Sequence, residues 1–137
     1  MSYDISIDYR EGDGAYRVPL KEHPVERFSC LKVAYMCIPY SFELAFVHVF
    51  GYGGVHVLDG MSVKDSIPAI DSALERVGSG WDFDDPWIPS GESVKAVLND
   101  FRALGEQVLK EHPGEDVMWT VDWLDRQERN EDIGKYR

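Results

Sequence analysis

A chain of 137 residues is of single-domain size, because domains commonly run about 100–150 residues and a chain of that length buries roughly two thirds of its unfolded surface. Hydrophobic residues at 44% and aromatics at 12% are too many for intrinsic disorder. Only 14 Lys and Arg stand against 25 Asp and Glu, and the formal charge of −11 repels bare nucleic acid and anionic membranes while favouring encounter with a basic protein surface.

From the N-terminus, Tyr3, Ile5, Ile7 and Tyr9 alternate with Ser2, Asp4, Ser6 and Asp8, which predicts a strand over 1–9 with one solvated face. Pleating spreads the three polar residues Asp4, Ser6 and Asp8 along the sheet, so they are expected to meet water and not a metal ion. Glu11-Gly12-Asp13-Gly14 tolerates the positive φ of a turn, and Ala15 to Val18 is expected to return as a short hairpin strand before Pro19. Pro24 precedes a helix start at Val25-Glu26-Arg27-Phe28.

Residues 28–40 form a nearly continuous apolar run whose period does not separate helix from strand; a helix ending before Pro39 is the expectation. Ser41 is placed to cap a second apolar segment through Phe50. Gly51-Tyr52-Gly53-Gly54 then breaks the chain, and without a lysine or a following helix at phosphate-loop spacing it is a turn and not a nucleotide cradle. Ser62 with Asp65 three residues on resembles a capping box, and Ile67, Ile70, Ala73, Leu74 and Val77 carry helical spacing to Gly78, with a late start or kink expected at Pro68.

The plainest helix follows. Val94, Val97, Leu98, Phe101, Leu104, Val108 and Leu109 recur at three- and four-residue steps, opposite Lys95, Asn99, Arg102, Glu106 and Lys110. Ser90 is its N-cap, Glu92 places charge in its first turn, and His112-Pro113-Gly114 stops it. After the stop, Val117, Trp119 and Val121, with Trp123 as a further candidate, alternate with Met118, Thr120 and Asp122 as a one-sided strand. The expected fold is α+β: a small antiparallel sheet, shared by the first and last strands, with helices packed on one face. Residues 1–124 are expected to form one compact domain, and 125–137 a charged C-terminal extension or tail.

Trp81-Asp82-Phe83-Asp84-Asp85-Pro86-Trp87 pairs three carboxylates with three large rings in a proline-stiffened loop. It lacks the glycine turn and distal glutamate of a calcium loop, so its rings are expected to cap the core while its carboxylates face water. As a partner-binding surface it supplies Trp81, Asp82, Phe83, Asp84, Asp85 and Trp87, joined by Glu115 and Asp116, with Phe83 or Trp87 as anchor.

Cys30 and Cys37 fit neither a CxxC pair nor a zinc set and are expected to be buried free thiols, with an oxidised pair as the alternative. His23 and His112 adjoin prolines, whereas His48 and His56 lie in apolar stretches and are expected to pack in the core. A Cys37–His48 or Cys30–His56 dyad stays open, because catalytic partners meet in space, but no nucleophile elbow or oxyanion turn accompanies either cysteine. No cofactor or metal is expected. Basic residues interspersed with acids argue against direct nucleic-acid binding. The absence of an 18–20-residue apolar run argues against a membrane span and for a cytoplasmic protein.

The order of Ser2–Asp8, then Gly54–Gly60 with Val57-Leu58-Asp59-Gly60, Trp87-Ile88-Pro89-Ser90, and Glu111-His112-Pro113 before Val117–Val121 resembles a group of small phage and bacterial accessory proteins. About half the chain carries that resemblance, and the segment from Arg17 to Tyr52 departs from it. It implies a phage-type or mobile-element accessory role and transfers no catalytic residue. Charge and resemblance together lead to the expectation of a non-enzymatic inhibitor of a basic, nucleic-acid-handling protein, of anti-CRISPR or toxin-immunity type. The alternatives are a small hydrolase or transferase using a His with Cys or a carboxylate, and a self-assembling structural protein.

Overall fold

The structure is a computed structural model that describes residues 2–10, 17–78, 81 and 85–123. Strand β1 (Ser2–Tyr9) is central in a three-stranded antiparallel sheet, between β2 (Tyr35–Pro39) and β3 (Val117–Trp123). Ile5 stands opposite Met36 on one side and Val121 on the other, so the buried apolar residues of all three strands fall on the same face. Three helices cover that face: α1 (Glu43–Phe50), α2 (Val63–Gly78) and α3 (Gly91–Glu111). The sequence patterns of the first and last strands and the two long helices lead directly to this arrangement.

The run over 28–40 is the main correction. Instead of a helix it makes a turn and then β2, with Ala34, Met36 and Ile38 alternately buried. The reason is tertiary: β1 has a second edge to satisfy, and Ile7 N–H donates to Ala34 O at 2.9 Å at the mouth of the new strand. Val25 to Phe28 likewise closes only a single 3-10 turn over Glu26–Phe28.

Of the expected hairpin, 11–16 lie outside the described residues, while Arg17 bridges Asp8 and Val18 N–H donates to Ile7 O at 2.8 Å. The chain then pairs with 32–34 through Leu20 N–H to Lys32 O and Ala34 N–H to Val18 O. The outer edge of β3 is closed by the segment before α2: Gly60 N–H donates to Trp119 O, Trp119 N–H donates to Met61 O, and Asp59 Oδ1 accepts from Val121 N–H at 2.9 Å. Such cover leaves fewer unpaired backbone groups on an edge strand.

Ser41 lies inside a 3-10 turn over Tyr40–Phe42 and makes no cap for α1, whose first turn follows directly from that turn. Pro68 does not delay α2, which begins at Val63 with Ser62 Oγ accepting from Asp65 N–H at 3.2 Å. As the sixth helical residue it removes one bond, that to the carbonyl of Lys64. At α3, Ser90 Oγ accepts from Ser93 N–H at 3.2 Å, as its position predicts.

Gly105 lets α3 lie close on α2 and β3. A Cβ there would stand 3.3 Å from Val63 Cγ1, 3.4 Å from Ile67 Cδ1 and 3.5 Å from Trp119 Cζ2. Arg102 on α3 grips Asp71 on α2 at 2.7 Å and also meets Glu106. Helix α1 is held by the rings of Phe46, Phe42, Phe50 and Phe101, and Arg76 Nη1 on α2 donates to Val49 O at 2.8 Å in its last turn. The charged extension over 125–137 lies outside the described residues, as does the end of the expected domain at 124.

Candidate functional site

Helix α1 reads E-L-A-F-V-H-V-F and is apolar nearly all round. A helix of that kind is ordinarily buried on every side. Here Ala45, Phe46 and Val49 face the core, whereas Leu44 is 54% and Val47 41% exposed. Gly51 (φ 88°) and Gly53 (φ 97°) turn the chain back, conformations that L side chains rarely adopt, and leave Tyr52 between them 100% exposed. The return is a 3-10 turn over Gly54–Leu58 that buries Val55 and Leu58 and sets His56 outward.

Between the helix and this return lies an open cleft of about 470 Å³, lined by Tyr3, Glu43, Val47, Tyr52, Gly53 and His56. Its size falls among small-ligand sites, which run about 300–1,000 Å³. Tyr3 packs edge-on against Tyr40 at 4.7 Å and His56 at 5.7 Å. Burial, then the charge of Glu43 and the neighbouring Tyr40, pushes its phenol from 10.0 up to about 12. The hydroxyl therefore stays neutral near physiological pH. Among the described residues the Glu43 carboxylate enters no ion pair or hydrogen bond. The arrangement can hold an apolar chain against Val47 and Tyr52 while offering one carboxylate at its rim.

The residues singled out in the 81–87 loop divide. Trp81 is half-buried: its Nε1–H donates to Pro89 O at 3.1 Å, and its ring meets His48 of α1 at 6.2 Å in an edge arrangement. It thus abuts α1 on the side of His48, one turn on from Leu44. Asp85 is exposed and accepts from Trp87 N–H at 2.9 Å, and Trp87 is 82% exposed. Asp82, Phe83 and Asp84 lie outside the described residues. Glu115 and Asp116 are exposed and held by His112 at 2.6 Å and Arg10 at 3.1 Å. They follow the C-terminus of α3, while Trp87 precedes its N-terminus. A helix of 21 residues separates the two groups, a length of about 30 Å.

The opposite face of the sheet is not the solvated surface its sequence suggests. Asp8 is 0% and Ser6 7% exposed, and Ser6 Oγ donates to Asp8 Oδ1 at 3.2 Å. Tyr35 donates its hydroxyl to Asp4 Oδ1 at 2.8 Å, and the Arg17 guanidinium lies 4.3 Å from the Tyr35 ring centre. The face is an internal polar network in which carboxylates accept from hydroxyls. Among the described residues no group of three or more His, Cys, Asp or Glu could hold a metal ion.

Nor are the thiols both buried. Cys30 is exposed and Cys37 half-buried, and both are free. Cys37 pairs across from Asp4, on the face away from the helices, so it does not share a face with His48. His48 and His56 are exposed, and the buried histidine is His23, at 5% exposure. Its Nδ1 accepts from Val25 N–H at 3.1 Å, which places the ring proton on Nε2, 2.9 Å from Tyr35 O.

None of the described helices is long and apolar enough to cross a membrane. No protein-family model, no curated protein and no solved structure matches this chain. The α1 cleft escaped sequence reading because its residues come from three separate segments. One signal was present: a short helix without a polar face beside a tyrosine set between glycines.

Proposed function

We propose that this protein is a non-enzymatic, acidic binding module that docks a basic partner protein on the outer face of α1. The observation that carries the reading is the exposure of Val47 and Tyr52 in one apolar cleft, with Leu44 exposed on the same helix. Exposed apolar groups gathered at a concavity mark binding sites more often than scattered ones do. The charge of −11 supplies the steering towards a basic surface, and the Trp81 ring meets His48 of the same helix. Inhibition of a nucleic-acid-handling protein, of the anti-defence or toxin-immunity kind, extends this reading from charge and from the resemblance to phage and bacterial accessory proteins. A cytoplasmic setting belongs to the same proposal.

The test is photo-crosslinking in host lysate from a benzophenone residue at position 47 or 52, with one at exposed Lys110 as control. A single basic protein crosslinked from 47 and 52, absent from 110, and lost from 52 when Val47→Asp is added supports the reading. Crosslinking that is equal from all three positions, or unaffected by Val47→Asp, overturns it.

One observation favours an acid–base enzyme as the second reading: His56, Glu43 and the Tyr3 phenol line the same cleft. It predicts turnover of a small substrate that His56→Ala abolishes without loss of folding.

A further inference from the structure

We propose that the α1 cleft receives a lysine or arginine side chain from an extended, apolar-flanked segment of the partner. The aliphatic stem lies against Val47 and the Tyr52 ring, and the charged head meets Glu43. This inference rests on the protein-binding reading above.

The lining dictates the occupant. Val47, Tyr52 and Gly53 supply apolar surface, Tyr3 a phenol, His56 an imidazole, and Glu43 the cleft's one carboxylate. A purely apolar occupant would strip water from that carboxylate without replacing its hydrogen bonds, which is costly. An anionic occupant would face it directly. A cation on a flexible apolar stem satisfies both parts of the site, and the exposed Tyr52 ring adds attraction for the charge.

Several surface carboxylates are already engaged. Asp71 is held by Arg102, Asp100 by Arg27 and Asp116 by Arg10, while Glu111 accepts from the backbone N–H groups of Lys21 and Glu22. Glu43 is different: it lines a concavity and, among the described residues, has no cationic partner. It also sits in the first turn of α1, so Glu43→Gln removes charge without removing a core contact.

The experiment is a ¹H–¹⁵N titration of the whole chain with four capped tripeptides: leucine-lysine-leucine and its arginine, norleucine and glutamate counterparts. The lysine and arginine peptides are expected to shift the amides of Glu43, Val47, Gly53 and His56 saturably. The norleucine peptide is expected to bind about tenfold more weakly, the scale of one charge-assisted contact, and the glutamate peptide more weakly still. Glu43→Gln is expected to weaken the cationic peptides and to abolish the difference between them and the norleucine peptide. Equal binding of lysine and norleucine peptides, indifference to Glu43→Gln, or no shifts at these amides overturns the proposal. Partner crosslinking that is lost in Val47→Asp but intact in Glu43→Gln would overturn this inference alone and leave the binding reading standing.

Discussion

Trp119 donates its indole N–H to Ser66 Oγ at 2.7 Å, and the Ser66 hydroxyl in turn donates to Val63 O at 2.6 Å. Both residues are 0% exposed. The bond ties the last strand to α2 across the centre of the core, at the point where Gly105 brings α3 closest. Ser66→Ala leaves a buried indole N–H without an acceptor, and its expected cost is about 1–3 kcal/mol in urea unfolding. The double variant with Trp119→Phe should cost less than the sum of the two single changes, because the orphaned donor is then gone. Strict additivity would mean that the bond contributes nothing.

His23 is the hinge pin of the loop that precedes β2. It accepts from Val25 N–H and donates to Tyr35 O inside the protein. Long-range ¹H–¹⁵N spectra should show the proton on Nε2, with Nδ1 bare. His23→Ala should cost about 2–3 kcal/mol, since two backbone groups lose their partner where water has little access. A proton found on Nδ1 would contradict the arrangement.

Asp122 stands opposite Asp4 across β1 and β3. Its carboxyl is pushed above its ordinary 3.8, first by burial and then by the charges of Asp4, Asp59 and Asp8. A carboxyl raised in the folded state holds its proton more tightly there than in the unfolded chain. Its contribution therefore favours the fold below 3.8 and is lost as pH rises through the raised value. The side chain is exposed, so the effect is small. Asp122→Asn should stabilise the protein at neutral pH, by up to about 1 kcal/mol for a like-charge pair directly opposite in a sheet. The gain should vanish in thermal unfolding below pH 3.8.

Asp71 carries the opposite sign. The hydrogen bond from Arg102 holds its carboxyl below 3.8. That contribution is fully present above 3.8 and is lost as pH falls through the lowered value. Arg102→Gln should therefore reduce stability at neutral pH, and its difference from the parent chain should shrink on the acid side. A difference constant with pH would assign the loss to packing of the arginine stem instead.

The first and last strands and two long helices were legible from local pattern, and the α+β arrangement followed. Each has one apolar face, and the 2.0 and 3.6 periods write that face into the order of residues at Ile5 and Ile7, at Trp119 and Val121, and at Val94 through Val108. Ser62 and Ser90 cap their helices through bonds reaching only three residues ahead. Such signals are local, and a linear reading carries them.

What only the tertiary structure decided depends on distant partners. The run over 28–40 has no single period, so its state was chosen by the free edge of β1 and not by its own residues. Asp8 looks like any acid on a solvated strand face until its neighbours close over it, and His23 looks more exposed than His48 until the loop folds back on Tyr35. The cleft is the clearest case. Phe46 takes the inward side of α1, and nothing among the described residues covers Leu44 and Val47. Tyr3, Glu43 and His56 then meet there from separate parts of the chain. Composition determined that this protein folds and carries strong negative charge; packing decided which apolar residues the core could not accommodate and left them at the surface.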